Sequence, residues 1–99
     1  MVKRYQVLFL PAAIRDLKRI DKRTAQRIIR KVRWLAENFN TILPEPLSGG
    51  FRGTYKLRVG DWRVIYTVSH REKSLTIHII GHRREASPGI YAGGSLPPP

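Results

Sequence analysis

Apolar and cationic side chains alternate along residues 55–66, YKLRVGDWRVIY, as expected of a β-hairpin with one buried face. The Gly-Asp pair at 60–61 interrupts the alternation and matches a two-residue hairpin turn with glycine at its first central position. Such a turn fixes the register of the hairpin, so Arg58 should lie directly opposite Arg63. We expect the apolar face to pack on helices; its residues are Tyr55, Leu57, Val59, Trp62, Val64, Tyr66 and Val68.

The same kind of periodicity predicts the remaining elements. Pro11 fits the first turn of one helix, where a backbone N–H is not needed, and Asp21 can cap a second helix. We predict strands at 3–9, 52–59, 62–69 and 74–81, helices at 11–20 and 21–38, and a loop at 40–50. The order β-α-α-β-β-β is typical of an α+β fold, in which a two-helix hairpin packs on one face of a small, mostly antiparallel sheet.

The final strand extends both faces of the hairpin if residues 70–73 form a four-residue loop. Ile77 then lies opposite Tyr66, and His78 lies opposite Ile65. The apolar face would gain Leu75, Ile77 and Ile79, and the cationic face would gain Thr76, His78 and His82. An error of one residue in the loop would place the histidines on the other face.

Length and composition are those of one globular domain: 99 residues, of which 41% are apolar and 26% charged. We assign residues 1–85 to this domain and residues 86–99, which are rich in glycine and proline, to a flexible tail. No apolar run in the sequence approaches the roughly 20 residues that span a bilayer. The lack of cysteine is compatible with the cytoplasm.

The net charge of +12 narrows the choice of partners. A large cationic excess predicts association with polyanions, and nucleic acid is the first candidate because phosphate neutralisation drives such binding. An acidic protein is the second candidate. An anionic membrane fits less well, because the helices do not combine aromatic apolar faces with uniformly basic polar faces.

Two groups of cations can serve such a partner. Lys56, Arg58 and Arg63 share one face of the hairpin, where like charges repel unless an anion lies between them, and no acidic residue of the hairpin faces them. The second helix carries a basic stripe that begins with Arg23, Arg27 and Arg30 and continues with Lys31 and Arg33. This stripe is either a solvated helix face or a contact to RNA phosphates. We expect Trp34 and Trp62 to lie in the core.

Other chemistries find little support in the residues. The three histidines, His70, His78 and His82, lack carboxylates at metal-binding spacing, and the acidic residues form no obvious catalytic pair. We therefore expect neither a metal nor a cofactor. Phosphoryl chemistry on RNA stays open, since it needs a base for the ribose 2′-OH, cations for the charged phosphorane and an acid for the leaving oxygen. Lysine can be that base when neighbouring arginines lower its pKa.

The run YKLRVGDWRVIY together with IIGHRRE resembles the RelE/ParE superfamily of type II toxins. The segments AAIRDLKRI and PLSGGFRGTYKLRVG resemble it too, so the likeness covers about residues 4–85. The resemblance implies the fold predicted above and, for RelE-like members, ribosome-dependent cleavage of mRNA in the A site by attack of the ribose 2′-OH.

Positions that match the family motif receive roles from the resemblance. It implies that Lys56 and Arg58 assist the nucleophile and bind phosphate, that Arg63 stabilises the transition state, and that Arg83 is a general acid or charge stabiliser. RelE-like toxins also carry a C-terminal tyrosine that stacks on a base. Here Tyr91 is the candidate, although it lies behind an ASPG interruption that departs from the usual short ending. The resemblance also leaves His82 and Arg84 as residues that would contribute to this contact with the RNA.

The superfamily leaves three functions open. RelE-like members cleave mRNA on ribosomes, ParE-like members inhibit DNA gyrase and generally lack the cationic set, and a relative could bind RNA without cleaving it. Because this sequence keeps the cationic set, we favour the ribonuclease. The resemblance further implies a cognate antitoxin protein as partner, with an acidic segment that would suit the +12 charge.

Overall fold

The computed structural model of the chain describes residues 4–47 and 53–82. They form an α+β fold in which two helices pack on a mostly antiparallel sheet, as predicted, and the sheet has five strands where four were expected. The strands are β1 (Gln6–Phe9), β2 (Glu45–Pro46), β3 (Thr54–Val59), β4 (Trp62–Ser69) and β5 (Ser74–His82), and the helices are α1 (Pro11–Arg19) and α2 (Lys22–Glu37). A short 3₁₀ turn at Phe39–Thr41 follows α2. The strand order is β1-β5-β4-β3-β2, and only the β1–β5 pair among these strands is parallel.

The two helices begin where the sequence predicts. Pro11 occupies the first position of α1, where its fixed φ suits the helix and its missing N–H costs nothing. The Asp21 carboxylate accepts a hydrogen bond from the Thr24 backbone N–H at 3.0 Å and so caps α2. A hydrogen bond with the Thr24 side chain is the main reason that the pKa of Asp21 is lowered, and the bond from the Thr24 backbone N–H adds to the lowering.

The core lies between the helices and one face of the sheet. Its most buried members are Ala13, Ile28, Val32, Leu35, Val64, Tyr66, Leu75 and Ile77, with Tyr5, Phe39, Val59 and Ile80 beside them. Trp62, which we expected in the core, is partly buried and packs against this cluster. Burial raises the pKa of Tyr66 to about 12, so its phenol stays neutral in the core.

The β3–β4 hairpin has the predicted register, with Arg58 opposite Arg63 and Lys56 opposite Ile65. Gly60 adopts a φ of +60°, which the turn requires and which glycine adopts without strain. The tight turn therefore places the cationic and apolar side chains of the hairpin on opposite faces.

The register between β4 and β5 departs from the prediction after its first half. Ile77 lies opposite Tyr66 as expected, but a β-bulge makes Ile79, and not His78, the partner of Ile65. The extra residue reverses the faces beyond it. As a result Ile80 joins the core in place of Ile79, and His82 lies opposite Trp62 on the apolar face.

The predicted loop at 40–50 contains one further element that we did not predict. Glu45 and Pro46 form β2, which pairs with the outer edge of β3 and places Glu45 opposite Lys56. Proline is tolerated on such an edge strand because its nitrogen, which carries no hydrogen, can lie on the side away from the partner strand, where no hydrogen-bond donor is needed. The cationic face of the hairpin thus receives a carboxylate from outside the hairpin.

Candidate functional site

A three-residue ionic cluster lies where β2 meets β3. The Glu45 carboxylate accepts a hydrogen bond from the Arg58 guanidinium, with Oε2 3.0 Å from Nη2, and the same oxygen lies 3.5 Å from Nζ of Lys56. The lysine side chain is only 14% exposed, whereas that of Arg58 is 58% exposed. Glu45 therefore holds two cations of unequal burial around a single oxygen.

Glu45 is ionised at neutral pH. The hydrogen bond from Arg58 is the main reason that the pKa of Glu45 is lowered; burial opposes it, and the charges of Arg58 and Lys56 add to the lowering. The sequence pattern does not predict a role for Glu45, because residues 40–50 have the composition of an irregular loop. One local signal was available: Glu45 precedes Pro46, and the residue before a proline favours the extended backbone that a strand needs.

Arg63 completes the cationic face on the neighbouring strand. It is half-buried and lies directly opposite Arg58 in the ladder. Within residues 4–47 and 53–82, Arg63 forms no hydrogen bond or ion pair with another side chain. Two cations that lie directly opposite each other on neighbouring strands destabilise a sheet. The Glu45 carboxylate neutralises only part of this charge, so the face keeps a net positive charge. The arrangement favours binding of an anion.

The basic stripe of α2 joins this face through a groove of about 490 Å³. Its lining residues are Arg27, Arg30, Lys31, Trp34, Arg58, Val59 and Gly60. The guanidinium of Arg27 lies so close to the hairpin turn that a Cβ at Gly60 would come within 3.1 Å of its Nη2. Arg27 and Arg30 therefore come together with Arg58, whereas Arg23 does not line the groove.

Trp34 lies in this groove and not in the core, so that prediction is wrong. It is 42% exposed, and Nζ of Lys31 lies 4.2 Å from the centre of a Trp34 ring. The apolar stripe of α2 that faces the sheet runs through Ile28, Val32 and Leu35, and Trp34 projects to one side of it. A smaller cavity of about 240 Å³ shares Trp34 and Arg58 with the groove and reaches Glu45 and Lys56.

The predicted residues at the end of the chain have different outcomes. His82 does not share the cationic face; its ring packs edge-on against Trp62 with centroids 5.5 Å apart, because the β-bulge reversed its direction. Arg83, Arg84 and Tyr91 lie outside the described residues. His78 stays on the expected side, where its Nε2 is 2.9 Å from the Thr67 hydroxyl, and burial lowers its pKa.

No group of three or more His, Cys, Asp or Glu side chains in residues 4–47 and 53–82 is placed to hold a metal ion. Among the same residues, no helix combines the length and apolar character needed to cross a membrane.

A family model described as the ParE toxin of type II toxin-antitoxin systems, parDE, matches residues 7–87. No curated protein shows a significant match to the chain.

Solved toxin structures resemble this fold over most of its length. A chain of the toxin-antitoxin complex RelBE2 from Mycobacterium tuberculosis is 24% identical, with a TM-score of 0.73 over 84% of this chain and 95% of that chain. A double mutant of the RelE toxin of Escherichia coli in the free state is 16% identical, with a TM-score of 0.72 over 91% and 93% of the two chains. The YoeB dimer of Staphylococcus aureus is 24% identical, with a TM-score of 0.65 over 81% and 98%. At these identities the likeness establishes the fold.

Proposed function

We propose that this chain, which belongs to the ParE toxin family of type II toxin-antitoxin systems, is a metal-independent endoribonuclease that cleaves mRNA in the ribosomal A site. The observation that carries the proposal is the cluster of Glu45, Lys56 and Arg58 on the same sheet face as Arg63, which has no side-chain partner within residues 4–47 and 53–82. A proton acceptor and several phosphate ligands at one place are what cleavage by the ribose 2′-OH requires.

In the proposed reaction the 2′-oxygen attacks the adjacent phosphorus while its proton passes to a base. The bond to the 5′-oxygen breaks, which leaves a 2′,3′-cyclic phosphate on one fragment and a 5′-hydroxyl on the other. Glu45 is already ionised at neutral pH and can accept that proton directly, whereas the Lys56 ammonium must first lose one. We therefore place the base at Glu45 and give Lys56 the role of orienting the nucleophile beside it.

The arginines stabilise the charge that develops on phosphorus. Arg58 and Arg63 stand opposite each other, so they can contact two non-bridging oxygens of one phosphate, and guanidinium groups bind phosphate through paired hydrogen bonds. Protonation of the 5′-oxygen is a role that stays with Arg83, as the family resemblance predicts. Arg84 and Tyr91 remain predicted contacts to the RNA, and the division into a domain at 1–85 and a tail at 86–99 remains a proposal as well.

Inhibition of DNA gyrase is the second candidate function. The observation in its favour is the family model itself, which carries the ParE name; a resembling structure from Agrobacterium tumefaciens is also described as a YoeB/ParE toxin, whereas the others described above are RelE and YoeB toxins. We rank it second because a gyrase inhibitor has no evident use for a carboxylate held between a lysine and an arginine.

The proposed partners are the ribosome, mRNA and an antitoxin, all in the cytoplasm. The resembling structures include an archaeal RelE-RelB complex from Pyrococcus horikoshii. An antitoxin with an acidic segment would complement the +12 charge of this chain and could cover the cationic face.

Mapping of mRNA 5′ ends after induction of the protein in cells tests the proposal. We expect new ends within translated regions, and their loss in Arg63→Ala. Arg71→Ala is the matched control, because Arg71 is an exposed arginine in the β4–β5 turn. Intact mRNA together with gyrase-dependent DNA breaks would favour the second function, and unchanged cleavage by Arg63→Ala would place the chemistry elsewhere.

A further inference from the structure

We infer that the groove between α2 and the β3–β4 turn is a subsite for single-stranded RNA, in which Trp34 stacks on a nucleobase while the surrounding cations hold the flanking phosphates. The inference rests on the proposed function and adds a subsite next to the cleavage cluster.

Trp34 is unusual among the large aromatic residues of the described chain. Tyr5, Phe39 and Tyr66 are all less than 9% exposed, whereas Trp34 leaves 42% of its surface in water. Aromatic residues with one accessible side are enriched at binding surfaces. The exposure of Trp34 therefore calls for an occupant of the groove.

The charges around Trp34 select the occupant. Four cations line the groove with it, namely Arg27, Arg30, Lys31 and Arg58, and among the residues that the structure describes no acidic one lines it. Single-stranded nucleic acid combines flat bases with regularly spaced phosphates, and proteins bind it with aromatic platforms inside cationic grooves. A double helix keeps its bases stacked inside, so its phosphates could contact the cations of the groove but its bases could not stack on Trp34.

Lys31 identifies the face of the ring that a base would occupy. Its ammonium lies over the indole at 4.2 Å, a cation–π contact that holds the side chain in place in the free protein. Lysine is flexible, so a base that stacks on this face would displace the ammonium onto a neighbouring phosphate. The exchange replaces one favourable contact of the ring by another and adds a charge-assisted hydrogen bond.

The groove is continuous with the cleavage cluster. Arg58 lines the groove and also donates to Glu45, and the smaller cavity contains Trp34 together with Glu45 and Lys56. A nucleotide stacked on Trp34 would therefore be a near neighbour of the phosphate at Arg58. Trp34 would act as a positioning residue. By holding one nucleobase, it would determine which phosphate of the RNA lies beside the proposed general base, Glu45.

Fluorescence of the full-length protein tests the inference without cleavage. The chain has two tryptophans, so in Trp62→Phe the emission reports on Trp34 alone. The probes are a short 2′-O-methyl oligoribonucleotide, which cannot be cleaved because it lacks a free 2′-OH, a duplex of the same length, and polyglutamate. We expect the single strand to quench Trp34, and the duplex and polyglutamate to bind without comparable quenching.

Substitutions separate stacking from charge. Trp34→Ala should weaken binding of the single strand about tenfold, within the range for loss of one stacked base, and leave duplex binding unchanged. Trp34→Phe should restore most of the affinity. Ile14→Ala is the matched control, since Ile14 is a large apolar residue that is 42% exposed, as Trp34 is, but lies on α1 and lines neither the groove nor the smaller cavity.

Two results would overturn the inference. Equal affinity of Trp34→Ala and the unsubstituted chain for the single strand would show that the indole makes no contact. Quenching by polyglutamate as strong as that by RNA would assign the groove to an acidic protein segment. Failure of mRNA cleavage in cells, with quenching retained, would contradict the proposed function and leave the RNA subsite standing.

Discussion

Glu45 and Arg58 come from segments that are separate in the sequence, yet their side chains form a hydrogen bond of 3.0 Å at the outer edge of the sheet. The bond exists because the short strand β2 adds to β3 and aligns Glu45 with Lys56, one side-chain repeat from Arg58. Within the described residues, Glu45 is the one carboxylate on the cationic face.

Glu45→Gln should lower the rate of RNA cleavage by at least about 10²-fold, the usual contribution of a general base. RNA affinity should not fall, because the substitution removes a negative charge from a site that binds phosphate. Single-turnover cleavage and binding to an uncleavable RNA measure the two effects separately. Glu72→Gln, in the exposed β4–β5 turn, is the control. Full cleavage by Glu45→Gln would return the role of base to Lys56.

Arg63→Ala should relieve growth arrest and lower cleavage by on the order of 10²-fold, as expected for loss of a group that stabilises transition-state charge. Arg63→Lys should recover only part of the rate, since an ammonium cannot make the paired contacts of a guanidinium. The same loss is predicted for Arg83→Ala from the family resemblance. Growth curves and primer extension on a reporter mRNA measure both effects, and full toxicity of the Arg63, Arg83 double variant would exclude this site.

Arg30→Glu should weaken RNA and ribosome binding more than Arg23→Glu does. Both substitutions change the net charge equally, but only Arg30 lines the groove next to Arg58. Loss of a phosphate contact should also reduce the dependence of log K on log salt concentration by about one charge. Binding titrations at several salt concentrations give both quantities. Equal effects of the two variants would mean that the helix stripe acts only through its overall charge.

Acidification should destabilise the fold as the pH falls through about 6.5, the ordinary pKa of histidine. Burial lowers the pKa of His78, so at these pH values the unfolded chain binds a proton more readily than the folded chain. The free energy of unfolding is therefore highest above this range and declines below it. Urea unfolding between pH 8 and pH 5 measures the decline, and His78→Gln should reduce it. An unchanged slope in that variant would assign the effect to other groups.

The sequence predicted the hairpin well because its geometry is local. A two-residue turn leaves one register, so the opposition of Arg58 and Arg63 followed from counting residues. The β-bulge in β5 has no comparable signal, since one extra residue without a glycine changes neither composition nor periodicity in an obvious way. His82 was therefore placed on the wrong face, although Ile77 was placed correctly.

The errors at the site have a common origin in long-range packing. Glu45 joins the cations only because a strand from the loop pairs with β3, and its sequence neighbours give no indication of that partner. Trp34 was assigned to the core on its apolar character, yet the helix turns Ile28 and Val32 toward the sheet and Trp34 toward the groove. Burial of a single residue depends on the direction of its helix face, which hydrophobicity alone does not fix.

The parallel pairing of β1 with β5 has a consequence for synthesis of the toxin. Gln6 lies beside Ser74 and Phe9 beside Ile77, so the first strand has no sheet to join until the last strand has been made. Contacts between residues so far apart in sequence form late, because the chain must lose the entropy of closing a long loop before the strand pairing stabilises it. A nascent chain released before β5 would carry Lys56 and Arg63 on an incomplete sheet. We therefore expect prematurely terminated products to be harmless to the cell that makes them.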